Sequence, residues 1–414
     1  MANMNTNLGG ERQMIFGSPI DARKAVLLTF VAFLFTGFQC AIYGMLTVPI
    51  TAHFGISSNI IIFFDGFGMW GQILAMATGG IIIRAVRGKN LLLIAAVLMI
   101  IGSVVSILAP NIYFYTTMSF VCNMAVGYVL VACNYMIIGA SEKEGQSEGK
   151  LSVLNVFFSL GWMISAPVVG IVLFHSTWQW VFIMVMVLFV VFIFFLLSLR
   201  IDELTEVAIE KKISEKANGK KESFINPRLI ITAVALFGIV YVEQIMNYYN
   251  QPHLHYDLML NMEVIGMVIM VYSMCQLIGR AVIGSLVLPR VNVAIYIMVA
   301  AIVFAIVLFI YLGVHTGTSL TIILIIVGIL GLCDSCLYPS ILGYGLDQID
   351  RSSSAGTSFM VTIGGIGIPL GTSLCGILGQ SFGRVPAMMV GPVMLIIVAI
   401  LIFVVSRMKS VKKA

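Results

Sequence analysis

Stretches of about 20 apolar residues recur from Ala25 almost to Arg407, and each is long enough to cross a hydrocarbon layer about 30 Å thick as a helix. Composition agrees: 60% of the 414 residues are hydrophobic and only 10% are charged, against roughly 25% in an ordinary soluble domain. The stretches lie near 25–50, 59–83, 91–110, 113–139, 151–174, 178–199, 229–250, 263–288, 291–313, 319–345, 355–379 and 386–406. The pattern predicts an all-α membrane protein of twelve transmembrane helices. An even number of crossings puts both termini on one side.

Orientation follows from lysine and arginine, which are retained in cytoplasmic loops. Counting from a cytoplasmic N-terminus, basic residues fall before the first helix (Arg12, Arg23, Lys24), then at Arg84, Arg87, Lys89, Lys143, Lys150, across 200–228, and at Arg290, Arg351, Arg407, Lys409, Lys412 and Lys413. Only Arg384 falls in an outer loop, and Arg280 falls inside a span. The segment Met1 to Lys24 is polar and has no apolar core, so the first helix is expected to act as its own insertion signal. The expected location is a bacterial inner membrane with cytoplasmic termini. The net charge of +5 reports this topology and gives no ground for nucleic-acid binding.

All seven cysteines (Cys40, Cys122, Cys133, Cys275, Cys333, Cys336 and Cys375) fall within predicted spans, which argues against a disulfide framework. Cys333-Asp334-Ser335-Cys336 has the outline of a redox or metal motif, but small residues at helix contacts account for it. His253 and His255 fall near Asp257 in an expected outer loop, where solvation rather than metal binding is the plainer reading. No cofactor is expected, and no His/Cys/acid cluster suggests an enzyme.

One polar stretch, 200–228, divides the chain into a six-helix half at 25–199 and a second at 229–406, flanked by residues 1–24 and 407–414. An offset of 204 residues pairs Gln72 with Gln276, Gly80 with Gly284 and Gly139 with Gly343. An offset of 202 pairs Phe157 with Phe359 and Pro167 with Pro369. The two halves are therefore expected to be related by a pseudo-two-fold axis, with a binding site near the midplane between them.

The loop Gly80-Ile81-Ile82-Ile83-Arg84-Ala85-Val86-Arg87-Gly88-Lys89 and the entry Trp178-Gln179-Trp180-Val181-Phe182 resemble major facilitator transporters. In that loop Arg84 replaces the family's usual acid. Two further sets of motifs are similar to the fucose/galactose/glucose:proton symporters. One is Ala132-Cys133-Asn134, Gly149-Lys150-Leu151, Phe157-Phe158-Ser159-Leu160-Gly161 and Ala166-Pro167; the other is Tyr338-Pro339-Ser340-Ile341, Ser358-Phe359-Met360-Val361 and Gly364-Gly365. The resemblance implies a major facilitator fold, proton coupling, a small-molecule substrate and a monomer. It also implies an acid in helix 1, another in helix 4 and an asparagine in helix 5, where this chain has Met45, Leu130 and Phe158. Tyr135 stands where that family has proline.

An ionisable side chain inside a bilayer costs on the order of 3 kcal/mol, so each is a functional candidate. Asp65, Glu243 and Asp334 are the proton-coupling candidates, with Glu243 first because helix 7 lines the cavity in the family it resembles. Asn247 and Asn250 continue the face of Glu243, and Tyr248 and Tyr249 stand beside it. Tyr272, Gln276 and Arg280 form a polar strip spaced by four; Arg280 either binds an anionic substrate group or pairs with Asp334. Asp65 shares a face with Gln72, and Asp334 sits one turn from Tyr338. Asn123, Asn134, Asn155 and Trp162, with Trp70, complete the substrate-binding candidates, each asparagine having interhelical hydrogen bonding as its plain alternative.

The leading expectation is proton-coupled uptake of a small polar solute, a sugar or related metabolite. Ala166-Pro167-Val168-Val169-Gly170-Ile171 retains little of the antiporter signature and so favours import. The alternatives are a drug or metabolite exporter, whose greasy cavity the 25 methionines would suit, and a non-transporting sensor.

Overall fold

The protein is described by a computed structural model covering residues 16, 18–140, 146–201, 226–348 and 354–408. Arg12, Lys143, Arg351, Lys409, Lys412, Lys413 and most of the 200–228 linker lie outside these residues. Among the described residues, twelve helices are long and apolar enough to cross a membrane. We number them α1 (Pro19–Phe54), α2 (Ser58–Val86), α3 (Gly88–Ile107), α4 (Ile112–Gly139), α5 (Gln146–His175) and α6 (Gln179–Ser198) in the first half. In the second half they are α7 (Pro227–Asp257), α8 (Met262–Val282), α9 (Val293–Leu312), α10 (Leu320–Leu346), α11 (Ser354–Phe382) and α12 (Arg384–Arg407).

Both halves begin in the same way. The Ser18 hydroxyl accepts from Asp21 N at 3.1 Å, the Asn226 side chain accepts from Leu229 N at 2.8 Å, and in each case a proline occupies the first helical turn. These caps satisfy amides that a helix start leaves without partners, and proline costs nothing there because its missing N–H is not needed.

The packing repeats as the sequence offsets anticipate. In the first half α1 packs on α5, α2 on α4 and α3 on α6; in the second, α7 packs on α11, α8 on α10 and α9 on α12. The halves meet along two equivalent contacts, α2 with α11 and α5 with α8. The peripheral helices turn apolar rows outward, as with Val97, Ile101 and Val104 on α3 or Ile302, Ile306 and Phe309 on α9. Lipid accepts such rows at no cost, whereas water would not.

Glycine sets the approach of α1 to α5. A methyl group on Gly37 would strike the Phe158 carbonyl, and one on Gly161 would strike the Leu34 carbonyl. Backbones this close, with small residues between them, are how helices associate where no hydrophobic force acts between them.

The two ends of the interface between halves differ. On α2, Gly66, Met69, Ile73 and Gly80 form one stripe facing α11. A methyl group on Gly66 would meet Ser373, the Met69 sulfur accepts from the Thr372 hydroxyl at 3.3 Å, and a methyl on Gly80 would meet nothing within 4 Å. The halves are therefore closed together at the face opposite the termini and part toward the terminal face. Gly170 and Gly266 make the equivalent closure between α5 and α8.

Two expectations need correction. The stretch holding His253 and His255 is not a solvated loop: α7 continues through Asn250–Pro252 into a wider turn at His253–Asp257, and His253 is buried. Its Nδ1 lies 2.9 Å from Asp257 Oδ2, and its ring meets Tyr311 edge-on. α1 also starts at Pro19, nearly two turns before Ala25, because Ser18 caps its first turn at Asp21 and Lys24 pairs with Asp21 from the next turn.

Candidate functional site

α10 is broken at its centre. It runs Leu320–Asp334, turns at Ser335 and Cys336, and resumes at Leu337–Leu346. Pro339 explains part of this: it has no N–H to give the carbonyl four residues earlier, which belongs to Ser335. Arg280 Nε on α8 takes that free carbonyl at 3.0 Å. The break thus provides an acceptor that positions a guanidinium inside the protein.

Around this point lies a cavity of about 110 Å³, lined by Phe158, Ser159 and Trp162 of α5, Glu243 and Asn247 of α7, Tyr272, Gln276 and Arg280 of α8, and Asp334 of α10. It sits between the halves, since α5 belongs to one and the remaining helices to the other. Arg280 Nη1 spans the division by donating to Ser159 Oγ at 2.7 Å. Asp334 Oδ2 accepts from the Tyr272 hydroxyl at 2.8 Å and from Gln276 Nε2 at 2.7 Å, while its Oδ1 is buried without a partner. Glu243 makes no hydrogen bond or ion pair to any described residue.

Two carboxyls therefore face one guanidinium in a confined space. Asp334 accepts two hydrogen bonds, and Arg280 lies within electrostatic reach of both carboxyls. Glu243 accepts no hydrogen bond from a described residue and shares the one cavity guanidinium, Arg280, with Asp334.

Of the sequence candidates, Glu243, Asp334, Asn247, Gln276, Arg280 and Trp162 come together here. Arg280 and Asp334 share the cavity without a direct ion pair; Arg280 is instead directed at the Ser335 carbonyl and the Ser159 hydroxyl. Asn123 is turned inward, its Nδ2 donating to Ser119 O at 2.9 Å within α4. Asn134 and Asn155 are exposed outside the cavity, as is Trp70. Gln72, Tyr248 and Tyr338 also lie outside its lining, although Tyr338 lies close to Glu243. Asp65 is elsewhere, buried near the closed face. Phe158, which stands at the helix 5 asparagine position of the sugar symporters, and Ser159 also enter the lining, although neither is among the substrate-binding candidates above. Proline four residues after Ser335 was the available signal for that helix break.

A larger groove of about 380 Å³ between Ile283, Val299 and Cys333 is almost wholly apolar and faces the lipid side of α8, α9 and α10. It offers no polar chemistry.

The closed face is held by side chains of α7 and α12. Pro49 in α1 leaves the Met45 carbonyl without its helical donor, and Gln251 Nε2 of α7 supplies one at 2.5 Å. The Tyr249 hydroxyl lies 3.1 Å from Asn59 Oδ1 on α2 and 2.5 Å from the Cys375 carbonyl on α11. Arg384 binds Asp257 through two nitrogens at 3.0 and 3.1 Å, and its third reaches Ser58 Oγ of α2 at 3.3 Å. Gln251→Leu leaves the buried Met45 carbonyl unpaired, at about 1–3 kcal/mol, so local opening should rise about 5- to 150-fold. Hydrogen exchange at the amides of 249–257 measures this; unchanged exchange would remove Gln251 from the closure.

The description "Major Facilitator Superfamily" belongs to the family whose model matches residues 27–372, and this chain is a member of it. It is a multi-pass membrane protein with a transporter's fold. Solved structures agree in fold. A D-xylose-proton symporter matches at 14% identity and TM-score 0.75, covering 93% of this chain and 98% of that one. The nucleoside transporter NupG matches at 14% and 0.74, covering 93% and 99%. The xylose transporter XylE from E. coli, in an inward-open conformation, matches at 12% and 0.72, covering 95% and 98%. No curated protein sequence matches the chain.

Proposed function

We propose that this protein carries a small polar solute, a sugar or related metabolite, into the cell together with a proton, by rocking its two halves about the central cavity. The observation that supports this most is the cavity itself: it lies between the halves, is lined by Asn247, Gln276, Tyr272 and Trp162, and contains two carboxyls to one guanidinium. Amide and hydroxyl groups beside an aromatic plane suit a hydroxylated ring. The partly matched sugar-symporter motifs and the sugar-proton and nucleoside carriers of like fold favour the same class.

In this reading the terminal face is cytoplasmic, as its basic residues suggest, and the described conformation is open inward. A proton and solute bound from outside leave when the terminal side opens. The polar lining favours this over a drug exporter, whose cavity would be predominantly apolar.

Purified protein in liposomes, with an inward proton gradient imposed, tests it. A panel of hexoses, pentoses and nucleosides should include a solute that accumulates and whose accumulation collapses with a protonophore. Accumulation driven only by an outward proton gradient, with the liposome interior acid, would instead make the protein a proton antiporter suited to export.

A further inference from the structure

Asp65 lies outside the central cavity, on α2 near the closed face, and is 3% exposed. Its Oδ1 is buried without a hydrogen-bond partner, and among the described residues no ion pair or hydrogen bond to Asp65 is formed. The helix fixes its direction. Gly66 and Met69 face α11, Gly68 and Gly71 face α4, and Asp65 falls between these two contacts, on the side turned toward the pathway between the halves.

The groups around it are neutral. On α4, Tyr115 interacts with Asp65 and has a buried hydroxyl without a partner; on α7, Tyr248 interacts with it from the other half. Behind these tyrosines stand Tyr43 and Cys40 of α1, and α11 presents Thr372 and Ser373 to α2. Phenols and thiols carry no charge near neutral pH, and no described arginine, lysine or histidine approaches Asp65. A bare carboxylate in such a site pays desolvation with nothing to offset it, whereas a carboxylic acid pays far less.

We propose that Asp65 is a second proton-binding site, separate from the solute cavity, which must hold a proton for the face opposite the termini to close. Opening of that face separates α2 from α11 and Tyr248 from Asp65, admits water and releases the proton. The sign follows: the closed state binds one more proton than the open state, so acid favours closure and alkali favours opening. At its steepest the open-to-closed ratio changes about tenfold per pH unit, the limit for one proton. Because that face must open for Asp65 to lose its proton, this rests on the rocking motion proposed above. It assigns the residue to the gate rather than to solute coupling, which remains with Glu243.

The test places spin labels, carried by a noncanonical amino acid, at Ser57 and Ser381, which are exposed at the closed face on opposite halves. Distance distributions are recorded in nanodiscs from acid to alkaline pH. The long-distance population should grow with pH, and should do so equally with Glu243→Gln in place, since the cavity carboxyl is not the gate. In Asp65→Asn the short distance should prevail at every pH; Asp65→Thr, which also cannot ionise, serves if the amide variant does not reach the membrane. The proposal is overturned if either variant keeps the parent's pH dependence, or if Glu243→Gln alone abolishes it. A distance that never changes, under any pH or solute, would overturn it together with the rocking motion, and is distinguishable from a distance that changes with solute but not with pH.

Discussion

Replacing Glu243 with glutamine should abolish concentrative uptake while leaving exchange of solute at equal pH intact. Glutamine keeps the length and hydrogen-bonding capacity of the side chain and removes only its ability to gain and lose a proton. The structure makes the prediction sharper than the sequence did. Asp334 already has Tyr272 and Gln276 as donors, and Arg280 stands by to balance it, so one carboxylate in the cavity is accounted for. Glu243, in the same cavity, accepts no hydrogen bond from a described residue and must share Arg280 with Asp334, so with two carboxyls to one guanidinium a proton or the solute is left to neutralise it. With one proton per solute, a gradient of one pH unit is worth about 1.4 kcal/mol and supports about tenfold accumulation. In Glu243→Gln the accumulation ratio should fall to about one, measured as the plateau of labelled solute in liposomes with and without the gradient. Exchange is the second readout: a gate-locked variant such as Asp65→Asn should slow exchange and accumulation alike, whereas Glu243→Gln should spare exchange. A Glu243→Gln protein that still reaches a tenfold gradient would show that the coupling proton binds elsewhere.

Much of the fold was written openly in the chain because the bilayer is an unforgiving solvent. Runs such as Val181 to Leu197 have no other low-energy destination than lipid, and the lysines and arginines between runs resist translocation. The repeat was legible in the same way: the pairing of Gln72 with Gln276 and of Pro167 with Pro369 anticipated that α2 meets α11 as α8 meets α5. The site was legible only in part. Intramembrane charge marked Glu243, Arg280 and Asp334 by its cost alone, and helical spacing placed Gln276 and Tyr272 on the face of Arg280. Asn134 and Asn155 lie outside the cavity lining: an asparagine in an apolar segment is cheap enough to serve many ends, and nothing local says which way a helix is turned. The place of Phe158 and Ser159 depends on α5 meeting α8, a contact between residues over 100 positions apart that no local pattern encodes. Likewise His253 looked like part of a loop because its burial depends on Tyr311 and Asp257 closing around a helix extension.

Removing Arg280 should damage the protein more than removing any other single cavity residue. Arg280 ties three parts together: the Ser335 carbonyl exposed by the break in α10, the Ser159 hydroxyl of the other half, and the charge of two nearby carboxyls. Arg280→Ala leaves two buried carboxyls without the cation they share, at a cost on the order of 3 kcal/mol, enough to lower the folded yield in membranes severalfold. Asp334→Ala alone leaves Tyr272 and Gln276 without their acceptor and Arg280 with an unbalanced charge, so its yield should also fall. Arg280→Ala combined with Asp334→Ala removes both charges, and its yield should exceed that of either single variant even though the two side chains do not touch. The coupling is electrostatic, through the shared cavity, so it should survive where a direct hydrogen bond never existed. Fluorescence-detected size exclusion of detergent extracts gives the yields. If the double variant is as poorly recovered as the worse single one, the charges are independent, and the loss in Arg280→Ala comes from the broken tie between Ser159 and Ser335. The recovered double variant should still fail to transport, because the solute would then meet a cavity without its one guanidinium and without the acceptor that orders Tyr272 and Gln276.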